Sequence, residues 1–386
     1  MTKETTRQHS SESTSVLYLA FELSSKNWKL GFSIGSGQKP RIRTIEAGNL
    51  NALRAEIGTA RRRFALPAGC PVASCYEAGR DGFWLHRFLT REGVKNFVVD
   101  SSSIEVNRRK RRAKADRLDV QSLVRMLMRY CEGEDKVWSV VHVPSLEEED
   151  RRQLHRELAA LEKEKTRTSN RIRGLLVTQG VRLGDRIDLR DERLDSIRLW
   201  DGGPLAPGLK SRMRREWAHL LFLKGQISAL ERQRQSALRG KDETDAEPDL
   251  VKIRQLLLLR AIGPVSAWLL VREFFGWRRF KNRRQVGSLS GLTPTPFQSG
   301  ATNYEQGISK AGIVPVRRIA IELAWSWLRY QPGSKLSLWY NKRFANGGKK
   351  ARKVGIVALA RRLLIELWRF LETGALPEGA ELRAAA

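Results

Sequence analysis

The sequence predicts an α/β domain, then a helical coiled-coil middle region, and then a mainly α-helical carboxyl-terminal domain. In residues 16–135, short runs of β-branched and aromatic residues alternate with helical stretches. In residues 146–239, mostly apolar residues recur at alternating spacings of four and three, and residues 250–386 hold apolar helical stretches between glycine and proline breaks. A chain of 386 residues that is 41% hydrophobic can build more than one core.

The first domain begins after a polar tail, residues 1–15, that we expect to be disordered. VLYLAFEL (16–23) and WKLGFSI (28–34) predict two strands joined by a short turn. The next three stretches predict a buried strand, a helix and another strand: CPVASCYEAG (70–79), GFWLHRFL (82–89) and VKNFVVD (94–100). This order of elements indicates an α/β domain that ends near residue 135.

The middle region predicts two long helices. The seam of the first has two polar interruptions and is formed by Leu154, Leu158, Leu161, Lys165, Thr168, Ile172 and Leu175. The seam of the second is formed by Leu220, Leu223, Ile227 and Leu230. The helices either pair as an antiparallel hairpin or join two chains, so we expect a homo-oligomer, a dimer or tetramer. The polar stretch GKDETDAEPD (240–249) predicts a linker to the last domain.

The charge indicates a polyanionic partner. The chain has 71 Lys and Arg against 42 Asp and Glu, a formal net charge of +29. Residues 250–386 alone hold 24 basic and 7 acidic residues, which gives +17. A field of this sign favours DNA, RNA or an anionic membrane surface. No apolar run approaches the roughly 20 residues that span a bilayer, and the tail has no signal-peptide core. We therefore expect nucleic acid as the partner, no membrane, and a cytoplasmic, nucleoid-associated location.

Two carboxylates close a strongly basic stretch that begins at Arg108. The segment KADRLD (114–119) places Asp116 and Asp119 three residues apart. On a helix through residues 116–130, Asp116 falls inside the apolar stripe and Asp119 at its edge. That stripe is formed by Val120, Leu123, Val124, Leu127 and Met128. A helix start, with one aspartate as N-cap and the other at N3, would explain the pair without any function.

Two further acids stand alone in apolar runs. Glu22 lies near the end of the first predicted strand, in AFELS, and Glu77 lies at the end of another, in CYEAG. Burying an ionised carboxylate without a partner costs several kcal/mol, although an arginine or an exposed strand end would satisfy either one alone. Together with the aspartate pair, they predict an oxygen-ligand site for Mg²⁺ or Mn²⁺ of the kind that metal-assisted phosphoryl transfer uses.

With these motifs, nearly the whole chain resembles the DEDD-type insertion-sequence transposases of the IS110 and IS1111 group. The resemblance implies an amino-terminal domain similar to the RuvC Holliday-junction resolvase, with an RNase H-like fold, and a carboxyl-terminal transposase domain. The family's four acids fall on Glu22, Glu77, Asp116 and Asp119, and the first of them is usually aspartate. The FQSG stretch is similar to the family core, whose nucleophilic serine falls on Ser299. By itself, this serine reads as a turn former in a proline-rich loop.

The resemblance implies a composite active site, in which the acidic domain of one subunit meets the serine domain of another and cuts DNA through a covalent phosphoserine link. It also implies a non-coding bridge (seek) RNA from the element, which pairs with target and donor DNA. Residues 256–274 resemble a helix-hairpin-helix segment, in which Gly263 lets a helix N-terminus face a phosphate. The expected nucleic-acid contacts are Arg108, Arg109, Lys110, Arg111, Arg112, Lys114, Gly263, Arg283, Arg284, Lys310, Arg317 and Arg318.

Two other functions fit the same residues. A junction resolvase would hydrolyse DNA with water activated by metal at the four acids, and Ser299 would be structural. A non-catalytic nucleic-acid-binding protein would bind in a salt-sensitive way without cleavage, and Glu22 at the usual aspartate position would mark the loss of metal binding. The complete set of acids and the FQSG stretch argue against the non-catalytic protein.

Overall fold

The chain folds as two compact units that divide after Val143. The computed structural model describes residues 15–104, 116–239, 247–299 and 302–384. The amino-terminal unit combines a sheet with helices, and the carboxyl-terminal unit is almost entirely helical. Of the predicted tail, only Ser15 lies within the described residues.

The amino-terminal unit is built on a mixed five-stranded sheet. Its elements in chain order are β1 (Leu17–Leu23), β2 (Asn27–Ser33), β3 (Arg41–Glu46), α1 (Leu50–Arg63), β4 (Val72–Glu77), α2 (Trp84–Arg91), β5 (Lys95–Val99) and α3 (Asp116–Cys131). The strand order is β3-β2-β1-β4-β5. β1 pairs antiparallel with β2 and parallel with β4, while β3 and β5 complete the two edges. The α/β class predicted for this unit is confirmed.

The two faces of the sheet carry separate cores because the side chains of β1 alternate between them. Leu17, Leu19 and Phe21 are buried in the core that includes residues of α1 and α2. Ala20 points the other way, into a core formed with α3. The predicted apolar stripe of α3 is buried. Its members are Val120, Leu123, Val124, Leu127 and Met128.

β3 and α1 form in a stretch for which no element was predicted. β3 reads RIRTIE, in which only Ile45 is buried, so it lacks the apolar run that marks the central strands. It forms because β2 offers it a full antiparallel register from Asn27 to Phe32. An edge strand needs little apolar surface of its own once its backbone groups are paired.

The first unit continues past the boundary expected near residue 135. Val137 and Trp138 are buried in the core beneath α3, and Val140 forms an antiparallel bridge to Val99 of β5. This short segment packs against the outer edge of the sheet and completes the unit.

The carboxyl-terminal unit contains ten helices and one β-hairpin among its described elements, together with two short π-helices at Val271–Phe275 and Asn341–Ala345. The elements are α4 (Leu146–Asp150), α5 (Gln153–Val177), α6 (Asp191–Ser196), α7 (Pro207–Arg239), α8 (Pro248–Leu257), α9 (Pro264–Leu270), α10 (Arg283–Leu289), β6 (Pro294–Ser299), β7 (Thr302–Ile308), α11 (Val314–Tyr330), α12 (Lys335–Tyr340) and α13 (Lys349–Thr373). Over the described residues, every helix is too short or too polar to cross a membrane.

The two long helices of the middle region, α5 and α7, pack on each other within the chain. They run antiparallel, because Arg171 pairs with Glu216 at 2.8 Å while His219, further along α7, lies near Glu164, further back along α5. Their buried contact residues are Leu158, Thr168, Ile172 and Leu176 on α5 and Met213, Leu220, Leu223 and Ile227 on α7. Of the predicted seam, Leu158, Thr168 and Ile172 are buried on α5 and Leu220, Leu223 and Ile227 on α7, while Leu176 is buried where Leu175 was expected. A coiled-coil arrangement stays a prediction. Oligomerisation through these helices stays a prediction.

The predicted linker, residues 240–249, is only partly linker in the structure. Residues 240–246 lie outside the described part of the chain. α8 begins at Pro248, because proline suits the first position of a helix. Asp249 then lies in the first helical turn, where a carboxylate is favoured by the helix dipole.

A partly buried ion-pair cluster around the buried Glu273 fixes the start of α5 to the helices that follow in the same unit. Glu273, in the π-helix that follows α9, accepts hydrogen bonds from Arg156 Nε at 2.6 Å and from Arg156 Nη2 at 3.0 Å, and its Oε1 lies 2.9 Å from His155 Nε2. Burial by itself would raise the pKa of Glu273, but the hydrogen bonds and charges of these two partners lower that pKa to about 2. The cluster therefore stabilises a charged Glu273.

Candidate catalytic site

Glu22 and Glu77 lie at the same edge of the sheet. β1 and β4 are parallel and Phe21 is opposite Tyr76, so the next residues, Glu22 and Glu77, project from the same face. Glu22 is half-buried, and Glu77 is exposed at the carboxyl end of its strand. Across the other side of β1, Lys29 is opposite Glu22 in the register. The two carboxylates therefore share one face and one end of the sheet.

Helix α3 covers this face and runs antiparallel to β1. A Cβ on Gly31, which is opposite Ala20, would lie 2.5 Å from Val120 Cγ1 and 2.9 Å from Val124 Cγ2. At the far end of the helix, burial and then the nearby Cys131 and Glu132 raise the pKa of Tyr18, at the start of β1. Since the carboxyl end of α3 lies near the start of β1, its amino end points toward the end of β1, where Glu22 lies.

Asp116 and Asp119 lie at about the same level along the sheet as Glu22. Glu22 is two residues beyond Ala20, about 7 Å along the strand. Asp119 and Asp116 lie about 4.5 Å and about 9 Å along the helix from the level of Val120 and Val124. The backbones of the two aspartates therefore stand on either side of the level of Glu22.

We call the end of the sheet where Glu22, Glu77 and the start of α3 meet the acidic edge. Its side chains are described only in part. The Asp119 side chain is exposed, and the Asp116 side chain lies outside the described part of the structure. Among the side chains that are described, no three of His, Cys, Asp or Glu are grouped to hold a metal ion. That search does not include the Asp116 carboxylate, so the predicted set of four stays a prediction.

The basic run that precedes α3 cannot be located in the same way. Its members, Arg108, Arg109, Lys110, Arg111, Arg112 and Lys114, all lie outside the described residues. Their role as phosphate contacts stays a prediction from charge alone.

Ser299 is the last residue of β6 and lies in a β-hairpin, where the sequence had been interpreted as a loop. In the antiparallel register, Ser299 is opposite Thr302 and Phe297 is opposite Tyr304. The loop interpretation was wrong because Pro294 and Pro296 argue against a central strand, whereas a two-stranded hairpin has only edges, where proline is tolerated. The register shifts between these two prolines, as at a β-bulge.

The base of the hairpin is closed by two glycines with positive φ. Gly291 has φ 68° and Gly312 has φ 79°. A Cβ on Gly312 would lie 2.0 Å from the Leu289 carbonyl oxygen, and a Cβ on Gly291 would lie 2.0 Å from the Ala311 carbonyl oxygen. Only glycine fits both the backbone conformation and the contact, so the two ends of the hairpin are fixed against each other.

The predicted basic contacts near the hairpin differ in their surroundings. Arg317 Nη1 donates to the carbonyl oxygens of Lys310, at 2.8 Å, and Ala311, at 3.2 Å, so this side chain helps to hold the hairpin base. Lys310 is exposed and has φ 56°. Arg318 is exposed and lies 3.5 Å from Glu322, one helical turn away.

Arg283 and Arg284 occupy the first turn of α10 and are exposed. The Asn282 side chain caps this helix by accepting from the backbone N–H groups of Arg284 and Gln285. The cap fixes the backbone and leaves both guanidinium groups on the surface, where they can reach a phosphate.

In the turn between α8 and α9, the left-handed backbone conformation falls on Ala261 and not on Gly263. Gly263 is the N-cap of α9 with φ −94° and open space around a Cβ, so its position does not require glycine. Ala261 instead has φ 79°, in the left-handed region that alanine rarely adopts. The contact of Gly263 with phosphate stays a prediction.

An aromatic pair, not predicted from the sequence, lies two residues from Ser299 along β6. The rings of Phe297 and Tyr304 are stacked, with centroids 4.9 Å apart and an interplanar angle of 30°. The signal in the sequence is weak, because it consists of one aromatic residue in each of two short polar segments whose register the prolines obscure.

Comparison with known proteins places these features in a wider group. A family model described as "Transposase IS116/IS110/IS902 family" matches residues 254–337. The chain is 41% identical to "Putative transposase y4rJ" of Sinorhizobium fredii over 376 residues, which cover 95% of this chain and 94% of the relative. It is 28% identical over 218 residues to the transposase for insertion sequence element IS1328 of Yersinia enterocolitica, covering 56% of this chain and 60% of the relative. It is 23% identical over 313 residues to the transposase for insertion sequence element IS1111A of Coxiella burnetii, covering 80% and 79%.

Proposed function

The chain belongs to the IS116/IS110/IS902 transposase family, and from that premise we propose how it cuts DNA. The family resemblance is thereby confirmed, and the protein is a DNA transposase of an insertion sequence. In the proposed mechanism, the acidic edge of the amino-terminal unit and Ser299 of the carboxyl-terminal unit, from different subunits, form one active site. The observation that carries this proposal is the convergence of Glu22, Glu77 and the amino end of α3 at one edge of the sheet.

The acidic edge suits a divalent metal ion. Carboxylate oxygens are the ligands that Mg²⁺ prefers, and Mn²⁺ accepts the same donors. Glu22, Glu77, Asp116 and Asp119 would hold the ion, and Glu22 reaches it with one more methylene than the usual aspartate. When bound, the ion neutralises charge that develops on the phosphate in the transition state.

Ser299 would act as the nucleophile. Its Oγ forms a bond to the phosphorus as the bond from phosphorus to one deoxyribose oxygen breaks, and the hydroxyl proton passes to that leaving oxygen. The product is a phosphoserine link to one DNA end and a free hydroxyl on the other. The closed glycine base supports this role because it fixes the backbone of the β6–β7 hairpin at whose tip Ser299 ends a strand.

A bridge RNA would supply the sequence specificity. An enzyme that leaves base recognition to RNA needs mainly positive charge that binds nucleic-acid backbones, and the net charge of +29 fits that requirement. The exposed Arg283, Arg284 and Arg318, and Lys310 beside the hairpin base, are among the described candidates for these backbone contacts. Like other proteins that act on genomic DNA, it would work in the cytoplasm at the nucleoid.

Excision and insertion of a marked element, with its flanking RNA co-expressed, test the proposal. We expect Glu77→Gln, Asp119→Asn and Ser299→Ala each to lower recombination at least about a hundredfold. Glu46→Gln, at the exposed end of β3, is the matched control and keeps activity. Omitting the RNA abolishes recombination. Cleavage that survives Ser299→Ala would instead favour the resolvase, and binding without cleavage by the unaltered protein would favour a non-catalytic binding protein.

A further inference from the structure

We propose that Phe297 and Tyr304 form a stacking platform for one unpaired DNA base next to the phosphate that Ser299 attacks. This inference rests on the function proposed above for Ser299. It adds a binding subsite for a nucleobase on the β6–β7 hairpin, formed by these two side chains.

The geometry of the pair is the first support. The two rings are already stacked, and both remain open to solvent, with 39% of Phe297 and 50% of Tyr304 exposed. Neither ring belongs to the buried cores formed by the described residues. A stacked pair that is open to solvent offers the outer face of an aromatic ring, a flat apolar surface on which a base can stack.

The position of the pair relative to Ser299 is the second support. Ser299 ends the strand that carries Phe297, and Phe297 is paired across the hairpin with Tyr304. Phe297 precedes Ser299 by two residues, about 7 Å along the strand.

The positive charge of the carboxyl-terminal residues indicates which kind of molecule occupies the platform. Residues 250–386 carry a formal +17, so a polyanion is drawn to the surface from which the hairpin projects. Stacking on aromatic side chains is the common way in which such surfaces hold single-stranded bases, because every base has a flat face. The occupant is assigned to DNA because the strand that reaches the serine is the strand that it cuts.

The platform would hold the cut strand in place. A duplex hides the faces of its bases, so a base can lie on the platform only when its step is unstacked. Holding one flanking base outside the stack keeps the adjacent phosphate at the serine and keeps the freed end from leaving before it is joined to its new partner.

The test uses donor DNA with 2-aminopurine, a fluorescent base, placed in turn at each of the three positions on either side of the cut site. The protein carries Ser299→Ala and is assembled with its RNA, so that binding is read without chemistry. We expect quenching at one position. Adding Phe297→Leu or Tyr304→Leu abolishes the quenching and weakens binding about tenfold, whereas Phe297→Trp retains both. Trp325→Leu, a comparably exposed aromatic residue on α11, is the matched control and changes neither.

The platform is overturned if Phe297→Leu and Tyr304→Leu leave quenching and affinity unchanged at every position. Quenching of a probe in the RNA but in none of the DNA positions would overturn the assignment to DNA. A parallel cleavage assay separates this inference from the proposed function. If the Ser299→Ala protein still cleaves, the serine mechanism fails, while the fluorescence result decides the platform independently.

Discussion

Gly31 of β2 lies directly beneath Val120 of α3, so closely that a Cβ on the glycine would be 2.5 Å from Val120 Cγ1. This contact sets how near the helix approaches the sheet. Because Asp116 and Asp119 begin that helix, the same contact sets their height above Glu22 and Glu77.

Gly31→Ala is expected to lift the amino end of α3 and to impair the acidic site. Overpacking of this kind costs about 2 kcal/mol of stability, and we expect recombination to fall at least about tenfold even where the protein remains folded. Chemical denaturation and the excision assay measure the two effects. Gly35→Ala, with nothing within 4 Å of the added Cβ, is the control. Equal activity of both variants would show that the height of α3 does not matter.

Gly312→Ala is expected to destabilise the base of the β6–β7 hairpin. The added Cβ would meet the Leu289 carbonyl oxygen at 2.0 Å in a left-handed conformation, so the cost should exceed 2 kcal/mol. Gly307→Ala separates strain from contact, because Gly307 has φ 95° but open space around it, and should cost about 1 kcal/mol. Unfolding free energies of the two variants give the comparison, and similar costs would argue against a closed hairpin base.

Ala261→Gly is expected to stabilise the carboxyl-terminal unit by about 1 kcal/mol, because glycine removes the strain of a left-handed alanine in the turn between α8 and α9. Gly263→Ala should be neutral or slightly stabilising, since φ there is −94° and the space is open. Thermal unfolding of both variants tests the assignment. A loss of stability in Ala261→Gly would contradict the conformation of this turn.

Acid should weaken the carboxyl-terminal unit through Glu273. Its pKa of about 2 lies below the usual 4.5, so its contribution to stability is complete above about pH 4.5 and is lost as the pH falls toward 2. Glu273→Gln removes that contribution, leaves Arg156 and His155 without their partner, and should cost about 3 kcal/mol at pH 7. We expect the difference in unfolding free energy between variant and parent to shrink between pH 4.5 and 2. A difference that stays constant over that range would exclude this role.

The sequence predicted those parts of the fold that apolar patterns specify. The central strands and the stripe of α3 are long, apolar and periodic, so residues such as Phe21 and Val124 identify their own elements. The edge strand β3 and the β6–β7 hairpin were missed because backbone hydrogen bonds to a neighbouring strand, and not burial, hold them together. A local sequence pattern does not show which strands will be neighbours. The acids were singled out because lone carboxylates in apolar runs are costly, and their role as metal ligands stays a prediction. The Phe297 and Tyr304 pair was missed because it exists only through the register of the hairpin.

The most direct measurement of the account is covalent trapping of the cut DNA. The purified protein with its RNA, labelled donor and target DNA and Mg²⁺ is denatured, and the DNA-linked peptide is identified by mass spectrometry. We expect a phosphodiester adduct on Ser299 that disappears in Ser299→Ala and in Asp119→Asn and persists in Ser309→Ala, an exposed serine just beyond β7. Efficient cleavage with no adduct, or an adduct that survives Ser299→Ala, would contradict the account.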